Sequence, residues 1–332
     1  FVMPTRTGRS PARLGRRAVL ALALAAGLGA GPPALAQVKG LEIIAPANPG
    51  GGWDQTARAM QAALQEAGLA SGVQVQNIGG AGGTIGLAQF VTSRKGKGNA
   101  ILVGGLVMVG AILTNKAPVT LADVTPLARL TGEHELVVVP AESPIRSLAD
   151  LVQKLKESPG SVAWGGGSTG GTDHILAGLI AKAAGVDPTK VNYIAHSGGG
   201  EALSAILGGH VTAGISGAEE FMPQVRAGKL RALAVSAEER VPGLDVPTLK
   251  EQGLDVALVN WRGLFAPPGI RDADRKALSD TVARMVQSPA WKTTLEKRGW
   301  TDMYLPADAF AAFLKEDQAK VAATLQSIGL VR

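Results

Sequence analysis

Four times in this 332-residue chain an apolar run ends in glycine-rich sequence and a helical pattern begins. The four junctions lie at 49–54, 79–84, 165–173 and 197–201. In open α/β sheets, loops of this kind lie beyond the carboxyl ends of the strands, which is where such sheets bind their ligands. Glycine lets backbone N–H groups turn toward a ligand, and the start of a helix favours negative charge. The repeated unit therefore predicts an α/β fold whose loops suit an anion.

The apolar runs fall into two groups, which predict two sheets and hence two α/β lobes. Strands are predicted at 41–45, 73–76 and 101–103 in the first group, and at 136–139, 162–164, 191–194, 211–215 and 230–235 in the second. A further strand at 258–266 precedes two or three helices, of which the last spans 307–327. We expect the chain to cross between lobes near 128–139 and 257–267, so that 37–136 with 260–332 form lobe 1 and 137–259 form lobe 2.

The first 36 residues have the pattern of a secretory signal peptide. Arg16 and Arg17 precede an apolar run at 18–30, and Ala34-Leu35-Ala36 offers small residues where a signal peptidase cleaves. We therefore expect a mature chain from about Gln37 that works in the periplasm.

The net charge of +6 comes mostly from that segment. Five arginines and no acidic residue lie within 1–36, which leaves 28 basic and 27 acidic residues in the remainder. A chain so close to neutral, with few aromatic residues, is not typical of nucleic-acid binding. The absence of cysteine excludes disulfides, thiolate metal sites and cysteine nucleophiles.

Two enzyme-like motifs overlap at the third junction. Residues 165–170 match the G-x-G-x-x-G dinucleotide pattern, but a run this rich in glycine matches it easily by chance. Residues 166–170 match G-x-S-x-G, which would make Ser168 a nucleophile with Asp187 or Asp173 and with His196 or His210 as partners. Because the helix is expected to start several residues after Ser168, a serine hydrolase is the less favoured alternative.

Several side chains near these junctions keep more than one interpretation. The four histidines show no metal-binding spacing, so we expect neither a metal nor a cofactor. His174 either donates to an anion or only packs or caps its helix. Asp54 is a helix-start charge, a partner for Arg58 or a ligand contact. Trp53 is a cleft wall or a packing residue, and Arg262 either holds a ligand carboxylate or forms a structural salt bridge.

Seven segments of the chain resemble the substrate-binding components of tripartite tricarboxylate transporters, also called the Bug family. The most specific are 45–58 (APANPGGGWDQTAR), 77–86 (NIGGAGGTIG) and 165–174 with the preceding Ser-Pro-Gly at 158–160. The others lie at 208–211, 227–235, 246–253 and 261–269. The resemblance extends over essentially the whole of the chain after residue 36.

The resemblance implies a two-lobed periplasmic binding protein fold, type II-like, in which two Rossmann-like lobes close on a small carboxylate. It implies a receptor without a cofactor, and not an enzyme. The ligand of such a receptor is held largely by backbone amides and bridging waters. The residues it assigns to the ligand site are Ala47, Asn48, Pro49, Gly50, Gly51, Gly52, Trp53, Asp54, Ala81, Gly82, Ser168, Thr169, Gly170, Gly171, Thr172, His174, Ser197 and Gly198.

The version of the motifs in this chain looks closest to the tricarboxylate-type receptors of the family. Citrate or a related di- or tricarboxylate is therefore the favoured ligand, delivered by a monomeric receptor to the permease subunits of a tripartite transporter. The chain departs from the family at Ala47-Asn48, where an aromatic residue is frequent, and at His196-Ser197, where Tyr-Lys is common. A carboxylate sensor for a receptor kinase is the alternative that keeps the same fold.

Overall fold

The computed structural model describes residues 2, 3, 8 and 37–332. The predicted signal peptide therefore lies outside the described residues, apart from those three positions. Residues Gln37–Arg332 form one compact unit.

Strands and helices alternate along this unit, as the sequence predicts. The strands are β1 (Val38–Lys39), β2 (Glu42–Ala45), β3 (Ala70–Ser71), β4 (Gln74–Asn77), β5 (Ala100–Gly105), β6 (Thr125–Pro140), β7 (Ala163–Gly166), β8 (Asn192–Ala195), β9 (Ala213–Gly217), β10 (Leu230–Val235), β11 (Val259–Ala266) and β12 (Thr301–Pro306). The helices are α1 (Gly52–Glu66), α2 (Thr84–Ser93), α3 (Leu106–Thr114), α4 (Leu148–Glu157), α5 (Thr172–Ala183), α6 (Gly199–Leu207), α7 (Ala218–Arg226), α8 (Asp272–Gln287), α9 (Pro289–Arg298) and α10 (Ala307–Ser327).

The two predicted groups of strands are joined into one ten-stranded sheet through β6 and β11, which lie where the sequence predicts the crossings between lobes. Eight strands follow the order β4-β2-β5-β11-β6-β9-β7-β8, and β10 and β12 also pair with β6. Within each half, β2 is parallel to β4 and β5, and β7 is parallel to β8 and β9. The halves are continuous because β6, with 16 residues, is long enough to pair with β11 at one end and with β9 and β10 at the other.

Most predicted elements lie within a few residues of their expected positions, and the exceptions have local causes. Ser147 caps α4 through a reciprocal capping box with Asp150. Ala67 continues the apolar spacing of α1 in the sequence, but the helix ends before it and Ala67 is exposed. The sequence patterns missed α3, α7 and β12. Two of these are easily missed, because α7 contains a proline and β12 lacks buried residues.

The hydrophobic core is divided between the two halves of the sheet. One cluster combines β2 and β5 with apolar side chains of α1, α8, α9 and α10, so the C-terminal helices return to the first half as expected. Two smaller clusters lie on opposite faces of β6 and β10. One packs against α4 and α5, and the other packs against α6 and α7. The exact lobe boundaries stay a prediction. Among the described residues, no helix is both long and apolar enough to span a membrane.

Candidate ligand-binding site

The glycine-rich junctions meet at one cavity of about 620 Å³. Its volume lies in the range usual for small-molecule sites, about 300–1,000 Å³. The first junction lines it with Asn48 and Trp53, the second with 79–83, the third with 167–169 and the fourth with 195–199. The four loops, which are far apart in the sequence, therefore come together at one cavity.

The first loop is held in place by the carboxylate of Asp54. This side chain is 3% exposed and accepts hydrogen bonds from Gly50 N (2.8 Å), from Asn77 Nδ2 (2.9 Å) and from Arg58 Nε (3.1 Å). Burial alone would raise the pKa of Asp54, but these three donors together lower it. Asp54 thus pairs with Arg58, one of its three expected roles, and it does not itself line the cavity.

The third loop is positioned by the first turn of α5. Asp173 accepts a hydrogen bond from Gly167 N at 2.7 Å, and His174 Nδ1 accepts one from Gly170 N at 3.2 Å. Gly170 has φ +74°, a left-handed conformation that favours glycine. The His174 ring stacks on Tyr193 at 4.0 Å, and burial lowers the pKa of His174 to about 4. His174 is therefore neutral near pH 7 and packs beneath the loop.

Three helices begin at these loops without a side-chain cap. The N-caps of α1, α5 and α6 are Gly51, Gly171 and Gly198, and none of them accepts a capping hydrogen bond with a side chain. The first-turn N–H groups of a helix have no partner within the helix, and the helix dipole attracts an anion to them. The arrangement suits a ligand with more than one negatively charged group.

The structure places the predicted site residues in two groups. Eleven line the cavity, namely Ala47, Asn48, Gly51, Gly52, Trp53, Ala81, Gly82, Ser168, Thr169, Ser197 and Gly198. The other seven lie behind the lining and shape the loops, namely Pro49, Gly50, Asp54, Gly170, Gly171, Thr172 and His174. Their contacts with a ligand stay predictions.

Sequence reasoning missed a group of acidic residues that lines the same cavity. Glu133 and Glu135 lie on β6, Asp173 lies in the first turn of α5, and Glu220 lies in the first turn of α7. A signal for two of them was present in the sequence, because Glu133 and Glu135 occupy alternate positions directly before the apolar strand predicted at 136–139. Alternate residues of a strand face the same side, so both carboxylates lie on one face of the sheet.

Arg262 on β11 is the basic counterpart of this group. Its Nη2 donates to Glu133 Oε2 at 2.6 Å, and both side chains are less than a tenth exposed. The structural salt bridge considered from the sequence is therefore present. However, Nη1 of Arg262 is buried without a hydrogen-bond partner, although the residue lines the cavity. One edge of the guanidinium thus remains for a ligand carboxylate.

Three of these acidic residues, Asp173, Glu220 and Glu135, have raised pKa values and hold protons more tightly than exposed carboxyls do. Burial, together with repulsion by Glu133, raises the pKa of Asp173 to about 6. Burial and repulsion by Glu133 and Asp173 raise the pKa of Glu220 to about 7, although the Ser216 hydroxyl donates to it. Burial and repulsion by Asp173 and Glu133 raise the pKa of Glu135 well above its usual value.

These shifts predict that the ligand-free protein loses stability between about pH 6.5 and pH 8. In this range the folded state binds more protons than the unfolded state, because Glu135 and Glu220 have raised pKa values, and stability falls with pH. Below pH 6.5 the buried His134 and His174 act in the opposite direction, since their pKa values are lowered. The check is the free energy of urea unfolding at pH 6.5, 7.2 and 8.

Substitution E220Q is expected to reduce this pH dependence, because the glutamine amide does not ionise and its carbonyl still accepts from Ser216. The control is E296Q, which changes an exposed glutamate of α9 far from the cavity lining. A wild-type stability that rises from pH 6.5 to pH 8, or an E220Q slope equal to that of the wild type, would contradict the prediction.

The geometry at Ser168 does not assemble the triad weighed from the sequence. Within residues 37–332 the Ser168 hydroxyl makes no hydrogen bond with a histidine, while His196 Nδ1 contacts Gly166 O at 3.1 Å. Asp187 instead accepts from the backbone and hydroxyl of Thr189. No group of three or more His, Cys, Asp or Glu side chains in the described part of the chain could hold a metal ion.

Comparison with known proteins identifies the group to which this site belongs. The sequence profile of the family TctC, the tripartite tricarboxylate transporter family receptor, matches residues 56–330. Protein BugT of Bordetella pertussis is 29% identical over 296 residues, which cover 87% of this chain and 89% of BugT.

Solved structures agree with this assignment. The periplasmic binding protein BugD has the same fold, with a TM-score of 0.79 at 22% identity over 88% of this chain and 98% of that one. MatC from Rhodopseudomonas palustris, solved with bound malate, is similar with a TM-score of 0.75 at 25% identity over 87% of this chain and 99% of MatC. The chain therefore belongs to the tripartite tricarboxylate transporter receptor family of solute-binding proteins and has their two-lobed periplasmic binding protein fold.

Proposed function

We propose that this protein is a periplasmic receptor that captures a small carboxylate, citrate or a related di- or tricarboxylate. The observation that carries the proposal is the convergence of the uncapped starts of α1 and α6 and of the first turn of α5 on one cavity, whose lining includes Arg262 with its unpartnered Nη1. Backbone N–H groups and Arg262 Nη1 can donate to ligand carboxylates without displacing any partner within the chain. Malate bound to MatC, a member of similar fold and sequence, is consistent with this ligand class.

The proposed mechanism is capture by closure of two lobes, 37–136 with 260–332 and 137–259. The cavity receives α1 and Arg262 from the first range and α5, α6 and α7 from the second. A carboxylate that bridges both sets of donors binds the closed form more tightly than the open form, and it therefore shifts the population toward closure. We propose that the closed receptor then docks on permease subunits of a tripartite transporter and that no covalent chemistry occurs.

The test is calorimetric titration of ligand-free protein with a panel of carboxylates that includes citrate, tricarballylate, malate and succinate. Co-purified ligand is removed first by unfolding and refolding. At least one member is expected to bind at a ratio of one to one and, at about 100 times its Kd, to stabilise the protein by about 2.7 kcal/mol. Failure of every carboxylate to bind would refute the proposed function.

The hydrolase alternative is examined with the same preparation. A fluorophosphonate probe labels an activated serine, so the receptor is expected to remain unlabelled. Labelling of the wild type that disappears in S168A would instead favour hydrolysis at Ser168.

A further inference from the structure

The cavity has a charge pattern that a simple carboxylate does not satisfy. Among the described residues that line it, five are acidic and one, Arg262, is a permanent cation. The acidic residues are Glu133, Glu135, Asp173, Glu201 and Glu220. Because Arg262 already pairs with Glu133, a ligand that brought only negative charge would approach several carboxyls without compensation.

Glu135 is the part of this pattern that most requires a partner. The residue is 1% exposed, and among the described residues no N–H group or hydroxyl donates to its buried carboxylate oxygens, which can share a proton only with the carboxyl of Asp173. Buried polar atoms in folded proteins nearly always have partners, and an isolated buried charge is very costly. A group left in this condition in the wall of a binding cavity is therefore suited to a partner supplied by the ligand.

Two further carboxyls lie near Glu135 and have only weak compensation. Asp173 accepts a hydrogen bond from Gly167 N and can accept one from protonated Glu135, and both its charge and this hydrogen bond raise the pKa of Glu135. Glu220 accepts the Ser216 hydroxyl, and it also repels Glu135. No lysine or arginine contacts any of these three carboxyls among the described residues. The three, here called the acidic trio, form a locally negative wall.

Arg262 places the opposite charge a short distance along the same face of the sheet. Its Nη2 is bonded to Glu133, and Glu133 lies two residues before Glu135 on β6. Alternate residues of a strand are about 7 Å apart. Arg262 Nη1 has no acceptor, and the Glu135 carboxyl receives no hydrogen bond from an N–H group or hydroxyl of the described residues; both residues line the same cavity.

We propose that the ligand carries a positively charged nitrogen close to its carboxylate, with the nitrogen bound by the acidic trio and the carboxylate by Arg262 Nη1 and the helix starts. The inference rests on the proposed function and narrows its ligand class to amino-substituted carboxylates. Each ligand ammonium can donate up to three hydrogen bonds, which matches the acceptors of Glu135, Asp173 and Glu220. A zwitterionic ligand also leaves the net charge of the closed cavity closer to zero than a purely anionic carboxylate does.

The test uses pairs of ligands that differ in the amino group alone. Aspartate is compared with malate and succinate, glutamate with 2-hydroxyglutarate and glutarate, and 2-aminoadipate with adipate, by calorimetry on the ligand-free protein. In at least one set the amino compound is expected to bind about tenfold or more tightly than its counterparts, the size expected for a hydrogen bond to a charged group. Equal or tighter binding of the unsubstituted acid in every set that binds would overturn the proposal and leave the receptor function intact.

Failure of every compound to bind, with or without an amino group, would refute both this inference and the proposed function. Binding of an unsubstituted acid that appears only when magnesium is added would also overturn the inference, because a metal ion would then supply the positive charge.

Substitution E135Q distinguishes recognition of the nitrogen from a structural role. In E135Q the affinity for the amino compound, relative to that for its hydroxy counterpart, is expected to fall about tenfold or more. The affinity for the hydroxy compound itself is expected to stay the same or rise. E296Q, the exposed control, is expected to change neither affinity. An equal loss of both affinities in E135Q would mean that Glu135 only supports the cavity.

Proton release gives a second measurement, which does not depend on a variant. The groups that face Glu135 are Glu133, Asp173, Glu220 and Tyr193, with Arg262 bonded to Glu133. A ligand ammonium favours the ionised carboxyls, so binding near pH 6.5 is expected to release protons to solvent, whereas a purely anionic ligand takes protons up. Calorimetry in buffers of different ionisation enthalpy measures this sign, and proton uptake with the amino compound would overturn the proposal.

Discussion

Substitution R262M is expected to lower the free energy of unfolding of the ligand-free protein by about 3–5 kcal/mol, the usual cost of removing one partner of a buried ion pair. Arg262 and Glu133 are both buried, and the guanidinium is the cation that compensates Glu133. Without it, Glu133 keeps only the donor Glu219 N, at 3.1 Å, while the other acidic side chains of the cavity still repel it. Urea unfolding monitored by circular dichroism measures the effect.

The double variant E133Q/R262M is the matched control. It removes both charges, so the buried carboxylate no longer lacks a counter-ion, and most of the lost stability is expected to return. Ligand affinity is expected to fall in both variants, because each lacks the Nη1 donor. R262M within 1 kcal/mol of the wild type, or E133Q/R262M no more stable than R262M, would contradict this account of the pair.

Substitution G110A is expected to reduce both stability and ligand affinity through a steric effect at the third loop. Gly110 lies within α3, and a Cβ atom at this position would overlap the carbonyl oxygen of Gly170. The obstacle is backbone, so either α3 or the loop that carries Ser168 and Thr169 must move. Overpacking of this kind costs about 1–3 kcal/mol, although alanine is the better helix former by about 1 kcal/mol.

G110A is expected to change the ligand affinity more strongly than the free energy of unfolding. Ser168 and Thr169 line the cavity, and a displaced loop no longer presents its backbone donors at the start of α5 in the same geometry. A loss of about tenfold or more in affinity corresponds to one hydrogen bond to a charged ligand group. Unfolding by urea and calorimetric titration with the best ligand of the carboxylate panel measure the two effects.

The control for G110A is G160A, in a short turn before β7. A Cβ atom at Gly160 would meet no atom within 4 Å, and the backbone there is not left-handed. G160A should therefore bind and unfold like the wild type. Wild-type affinity in G110A would show that the loop does not depend on its contact with α3.

The first and third loops show how far sequence reasoning extends into the site. Glycine-rich runs between strand and helix patterns located 49–54 and 165–173 correctly, because those signals are local in the chain. Eleven of the residues that the family motifs assign to the site line the cavity, and these motifs are also local in the chain. The crossing at 128–139 was predicted, but the pairing of β6 with β11 and β12 was not, because those strands are distant from β6 in sequence.

The sequence by itself determined the alternation of strands and helices, the glycine loops with their uncapped helix starts, and membership of a receptor family. Tertiary structure alone decided the electrostatic character of the cavity. Glu133 and Arg262 are 129 positions apart, and Asp173 and Glu220 come from different helices, so no local pattern could show that they meet. Whether a carboxyl is a solvated charge or an unsatisfied buried group depends on which neighbours and how much water surround it. The packing of β6 with β11, α5 and α7 brings those neighbours together.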